Sequence, residues 1–281
     1  LIFDRFTRGG TGLTLRGLYP LTALGWKALA GYSLEDTRLG VSYRLENVKI
    51  TDVDRTAATV IRTEQSGARV TSSLTPRLFR DTRNHPFDPT AGSMQDLSLE
   101  LAGLGGANKF FKAEANARWY YPFWKSPSLG TFVLSVGGSL AYGRGYGGRR
   151  DLPLFERFFP GGINSIRGFR ILSLGPRNDV VDQLGRVVRR DPVGGSQQLI
   201  FNNEIIFPIL QSLGLKGVTF LDAGNAFSAK EGINLGDMRL SVGGGVRWQS
   251  PLGPLRIELG FPLNARSGDD RQTIMFSFGG R

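Results

Sequence analysis

Much of the chain alternates between apolar and polar residues with a period of two. That is the spacing of a β-strand whose two faces meet different media. In residues 94–101, Leu97, Leu99 and Leu101 share one face, and Asp96, Ser98 and Glu100 share the other. Residues 109–121 set Phe111, Ala113, Ala115, Ala117, Trp119 and Tyr121 against Lys112, Glu114, Asn116 and Arg118. The same reading gives strands at 11–19, 36–51, 68–80, 131–142, 196–207, 216–227, 238–249, 255–261 and 274–278, eleven strands in all. A helical hint covers 23–30, and 52–67 reads as a polar loop. Residues 81–92 hold a rigid tight turn, Asn84-His85-Pro86-Phe87-Asp88-Pro89. The segment 143–195 reads as neither strand nor helix.

The pattern predicts an all-β antiparallel fold. Short turns, as at Ser250 to Gly253, alternate with long connections, as the two ends of a membrane barrel do. With eleven strands the first and last run the same way, so an antiparallel seam between them needs at least one strand more. A soluble sandwich also alternates. It would rarely gather aromatics at strand ends, as Trp119-Tyr120-Tyr121, Tyr142, Phe227 and Trp248 are gathered here; such positions match interfacial girdles. No fixed repeat supports a solenoid. No apolar run approaches the roughly 18 residues of a membrane helix, but a barrel strand needs only about 9–11.

Composition agrees with a wet interior and an oily exterior. Glycine (39 of 281 residues) is about twice as frequent as usual, and aromatics reach 11% while hydrophobic residues total only 40%. The formal net charge of +11 is scattered through the strands. That favours lipopolysaccharide phosphates or a polar lumen over nucleic acid as its partner. With no cysteine there is neither disulfide nor thiolate site. His85, the only histidine, sits in a turn, so no Ser-His-Asp triad and no histidine metal cluster is expected. Asp179, Asp182 and Asp191 match no calcium loop, and Gly243-Gly244-Gly245 precedes a strand turn rather than a helix, so it is no phosphate loop. Neither an enzymatic activity nor a cofactor is expected.

One stretch of the long segment stands apart. Residues 154–169 carry Phe155, Phe158, Phe159 and Phe169, then end on Ile166-Arg167-Gly168-Phe169. A loop with this apolar load folds back onto something. An arginine carried with it needs carboxylates, because an unpaired buried charge is costly. The stretch resembles the lumen-entering loop of BamA-like outer-membrane assembly and secretion barrels, with its Val/Ile-Arg-Gly-Phe/Tyr tip. Phe220-Leu221-Asp222-Ala223-Gly224-Asn225-Ala226-Phe227 resembles that family's Phe-x-Asp-x-Gly-x-x-aromatic strand. Ser250-Pro251-Leu252-Gly253-Pro254-Leu255 resembles its turn before the penultimate strand.

The resemblance implies that residues 1–281 are the C-terminal part of a barrel of about sixteen strands, with roughly five strands and POTRA domains upstream. It places Arg167 in the lumen, latched to acids on two consecutive strands. Glu204, on a face with Asn202, and Asp222 are the candidates. Gly168 would serve close approach. It also implies a lateral gate at the last strand, with Phe276, Phe278, Gly279 and Gly280, where a client strand adds by β-augmentation. The implied partners are unfolded outer-membrane β-barrel proteins, accessory assembly lipoproteins and outer-membrane lipid. Polypeptide secretion of the two-partner type, and more distantly a passive porin, are the rival readings. A soluble basic binding protein is the remote one.

Overall fold

The computed structural model describes residues 7–29, 32–51, 53, 69–148, 151–181, 184, 186–251 and 253–279. The strands begin with β1 (Thr7–Pro20), the short pair β2 (Ala28–Leu29) and β3 (Tyr32–Ser33), and β4 (Thr37–Thr51). Then come β5 (Arg69–Asp81), β6 (Gly92–Ala102), β7 (Phe110–Ser126) and β8 (Gly130–Gly145). The long segment holds β9 (Gly168–Phe169), β10 (Arg177–Val181) and β11 (Val187–Pro192). The chain continues with β12 (Gln197–Leu210), β13 (Leu215–Phe227), β14 (Arg239–Ser250), β15 (Gly253–Pro262), β16 (Arg271–Gln272) and β17 (Ile274–Phe278).

Eleven strands form one antiparallel sheet in the order β1-β4-β5-β6-β7-β8-β12-β13-β14-β15-β17. Each overlaps a strand expected from the alternation. Among the described residues β1 and β17 are the two ends of this sheet. The connections after β7, β12 and β14 are short and those after β8, β13 and β15 are longer. The short-turn end is therefore the periplasmic end of a membrane barrel.

The two faces differ as lipid and lumen do. Leu97, Leu99, Leu101, Leu140, Phe201, Ile205, Ile257 and Phe261 are all exposed on the outer face. The opposite face buries Asn202, Glu204, Asp222, Ser241 and Glu258. In water this would invert the hydrophobic rule, since apolar patches beyond a few hundred Å² are rare on soluble proteins. In a bilayer the oily face contacts lipid, and the ladders between neighbouring strands pair most of the strand backbone within the sheet.

Three expectations change. The helical hint at 23–30, of which Ala30 lies outside the described residues, is a single 3-10 turn, Leu21–Leu24, ended by Gly25 in the left-handed region, then the β2–β3 pair. Such a short segment cannot offset the cost of helix nucleation. The long segment, expected at 143–195, begins after β8 ends at Gly145. It also contains the β10–β11 hairpin, whose valines are masked in sequence by Arg177, Arg189 and Arg190. Of the strand-end aromatics, Trp119, Tyr121, Tyr142 and Trp248 are exposed on the outer face. Phe227 is buried, and Tyr120 packs inward on Val133, Ile206 and Val218, because each has the opposite strand parity.

Candidate functional site

The stretch between β8 and β12 folds into the space the sheet surrounds. Its phenylalanines hold it there. Phe155 and Phe159 pack with Leu154, Val180 and Val193 on Ile50 of β4. Phe158 packs with Leu152 on Ala102 and Phe110 of β6 and β7. Ile166, Phe169 and Leu174 pack on Ile200 of β12. These clusters bring the tip of the loop to the wall.

At the tip, Arg167 is only 1% exposed. Its Nε donates to Asp222 Oδ2 at 2.7 Å and its Nη2 to Asp222 Oδ1 at 2.6 Å, a two-pronged pairing that lysine cannot make. The Arg167 backbone N–H donates to the same carboxylate at 3.0 Å. Nη1 donates to Glu204 Oε1 at 2.8 Å and to Glu258 Oε2 at 2.9 Å. The guanidinium also lies 3.5 Å from the centre of the Phe220 ring. Burial disfavours its charge, but the hydrogen bonds to Asp222 and the attraction of Glu204, Asp222 and Glu258 outweigh that, so its pKa is raised.

The structure thus brings Arg167, Glu204 and Asp222 together on strands β12 and β13, and adds Glu258 from β15. Three carboxylates around one cation would repel, so further cations are needed. Arg247 of β14 donates to Glu204 Oε1 at 2.7 Å and to Glu258 Oε1 at 2.8 Å. Arg256 donates to Glu258 Oε1 at 3.2 Å, to Asn164 Oδ1 at 3.2 Å and to the Ile163 carbonyl at 3.3 Å. Asn202 bridges Asp222 Oδ1, at 2.8 Å, and the Ser165 carbonyl, at 2.7 Å. The network welds the loop to four consecutive wall strands.

Glycines make the approach possible. Gly168 has φ +87°, and a Cβ there would lie 3.1 Å from the carbonyl carbon of Gly260. A Cβ on Gly260 would in turn lie 2.4 Å from the Gly168 nitrogen. The loop backbone therefore rests directly on the backbone of β15, and Gly168–Phe169 pairs with Gln272 and Arg271. Gly243 clears space for the Phe220 ring, since a Cβ there would lie 2.4 Å from Phe220 Cζ.

Sequence reasoning missed a second anchor. Glu156, carried on the loop, is buried and accepts from Arg44 Nη2 of β4 at 3.0 Å and from Lys112 Nζ of β7 at 3.1 Å. Two signals pointed to it: a lone acid amid phenylalanines, and Lys112 on a lumen face. Likewise the alternation put Glu258, Arg247 and Arg256 on the lumen faces of their strands. Only tertiary structure selected them as neighbours of Arg167.

At the other proposed site, β17 pairs with β15 through Phe276↔Ile257 and Phe278↔Leu255. Phe276 and Phe278 point outward and are exposed. Gly279 has φ +93° and donates to the Pro254 carbonyl at 2.9 Å. Gly280 lies outside the described residues, as does Asp182. His85 is a turn former: Nδ1 accepts from the backbone N–H of Asp88 at 2.9 Å. Asp179 and Asp191 pair with Arg190 and Arg189.

Fold and site together define an antiparallel β-barrel wall with a loop latched inside its lumen. The Omp85 superfamily domain matches residues 2–281, and the chain belongs to that superfamily. Its strands are those of an integral outer-membrane barrel. The chain is 30% identical over 279 residues to the outer membrane protein assembly factor BamA of Nitratidesulfovibrio vulgaris, covering 98% of this chain and 32% of the relative. It is 28% identical over 218 residues to the BamA of Neisseria meningitidis serogroup B, covering 68% of this chain and 26% of the relative. The chain thus spans a third or less of each of these two proteins. In fold it is similar to the crystal structure of BamA from Haemophilus ducreyi lacking POTRA domains 1-3, with TM-score 0.79 and 22% identity over 96% of this chain and 54% of that one.

Proposed function

We propose that this chain is the C-terminal part of the barrel of an outer-membrane protein assembly factor, which inserts and folds β-barrel proteins into the outer membrane. Strands and POTRA domains upstream of residue 1 would complete the wall and receive clients, with accessory lipoproteins assisting. The observation that carries the reading is the lumen loop itself. Arg167, held by Asp222, Glu204 and Glu258, ties it across β12 to β15 and stiffens that side of the wall. The edge beside it is β17, which among the described residues pairs with β15 alone.

A stiff wall beside the last strand suits a seam that opens sideways. A client's terminal strand would then pair with the exposed edge through main-chain hydrogen bonds, with little demand on its side chains. Phe276 and Phe278 would face lipid throughout, and Gly279 would let the strand end bend. Burial of client apolar surface and completion of its hydrogen-bond ladder would drive insertion, without nucleotide hydrolysis.

The test is depletion of the intact protein combined with photocrosslinking from position 276. General loss of outer-membrane β-barrel proteins, with crosslinks to client C-terminal strands, is the expected outcome. Loss of one exported polypeptide with the other barrels intact would point to secretion instead.

A further inference from the structure

The outer face carries a feature that the loop and the seam do not use. From the periplasmic end of β4, β5 and β6, one row of outward residues runs across six strands through consecutive register pairs, reaching mid-strand on β7 and β8 and the long-loop half of β12. It comprises Thr37, Arg80, Gln95, Ala117, Gly138 and Phe201. Here the wall is thin, because Ala115, Ala117 and Gly138 offer almost no side chain. The dip is a groove of about 750 Å³, walled by Leu78, Leu97, Trp119, Leu140, Leu199 and Phe201. That volume lies within the roughly 300–1,000 Å³ of ligand pockets.

The polar end of the groove is unsatisfied. Thr37 Oγ1, Arg80 Nε and Gln95 Oε1 are three of the four buried side-chain polar atoms that lack a hydrogen-bond partner among the described residues. Buried polar atoms are almost always paired, so three orphans in one row mark a polar need that the described residues leave unmet. No carboxylate of the described residues pairs with the Arg80 guanidinium. The acid next to it, Asp81, is already held by Arg83, with Nε–Oδ1 2.8 Å and Nη2–Oδ2 2.7 Å.

The position fits one chemistry. On β5 the outward residues run Leu74, Pro76, Leu78 and then Arg80; on β6 they run Leu101, Leu99, Leu97 and then Gln95. Arg80 and Gln95 therefore lie one step beyond the apolar band, at headgroup level, with Trp119 beside them as an interfacial aromatic. We propose that this groove binds a glycerophospholipid of the periplasmic leaflet. Its phosphate would sit on Arg80, its glycerol-ester region near Gln95 and Thr37, and one acyl chain would lie over Ala115, Ala117 and Gly138. Arginine is the residue suited to a phosphate, and the groove supplies the apolar complement.

The test uses the intact protein, purified in mild detergent and delipidated, with native mass spectrometry reading retained lipid. Phosphatidylglycerol, diacylglycerol and lipid A are added separately. The wild type should retain one phosphatidylglycerol and discriminate against diacylglycerol, which lacks the phosphate, and against lipid A. Arg80→Gln should weaken retention at least roughly tenfold, the loss of one charge-assisted contact, while Arg80→Lys keeps most of it. Gly138→Leu fills the groove without changing charge and should also displace the lipid. A Cβ at 138 meets nothing closer than 3.5 Å, so this variant should fold, which its heat-modifiable mobility checks. Equal retention by all variants, diacylglycerol bound as well as phosphatidylglycerol, or preference for lipid A would overturn the proposal. So would a photocrosslinker at position 117 that captures polypeptide instead of lipid.

Discussion

Arg167 and Asp222 meet edge to edge, with Nε–Oδ2 2.7 Å and Nη2–Oδ1 2.6 Å, across 55 residues of sequence and almost out of reach of water. The pair closes the long loop between β8 and β12 onto the barrel wall.

Removing one partner of that pair should be costly, because the other is left charged and buried. Arg167→Ala or Asp222→Ala should each destabilise the docked loop by about 3–5 kcal/mol. Arg167→Glu should abolish function, because it adds a carboxylate where Asp222, Glu204 and Glu258 already crowd. Asp222→Arg in that background should restore part of it, since the exchange returns a guanidinium–carboxylate pair to the same place beside Glu204 and Glu258. Growth of a depletion strain complemented by each variant measures this. Full activity of Arg167→Ala would remove the latch.

Glu156 should act as the second tether. Glu156→Gln leaves Arg44 and Lys112 without a full counter-charge and should weaken docking of the loop by about 1–3 kcal/mol. Limited proteolysis of the β10–β11 hairpin should accelerate, while β-sheet content stays unchanged. An unchanged cleavage rate would assign Glu156 to packing alone.

Gly168→Ala tests the backbone contact. The substitution places a Cβ 3.0 Å from Pro262 Cδ, at a φ of +87° that costs an L-residue about 1–2 kcal/mol. The heat-modification midpoint should fall. Gly260→Ala should lower it further, since its Cβ would meet the Gly168 nitrogen at 2.4 Å, which no rotamer change relieves.

Lys216 and Asp88 set the opposite scale. Lys216 Nζ lies 2.5 Å from Asp88 Oδ1, linking the turn after β5 to the start of β13 across the periplasmic mouth. Asp88 is 36% exposed, so water and salt screen the pair. Lys216→Ala should cost less than about 1 kcal/mol. A hydrogen-exchange measurement should nevertheless show faster exchange confined to residues 82–91. Global destabilisation as large as that of Asp222→Ala would contradict this ordering.

Some of this was legible in the chain. Period-two alternation located every wall strand, because lipid on one side and a polar lumen on the other force each residue to choose a face. Parity also put Glu204, Asp222 and Glu258 on the lumen side. The girdle reading went astray at Tyr120 and Phe227, where aromatic identity suggested an outer position but parity turned the rings inward. The β10–β11 hairpin was hidden because its strands carry charges on both faces, so no alternation marks them.

Local sequence, then, determined the strands, their inner and outer faces, and the need of Arg167 for acids, since these depend on neighbours two residues apart and on the cost of burying a charge. Which acids answer that need, the grip of Glu156 on Arg44 and Lys112, and the row of unpaired polar atoms around Arg80 were decided only when the sheet curved. Curvature sets side chains from distant strands within hydrogen-bond range, and register between strands leaves no mark on the spacing within any one of them.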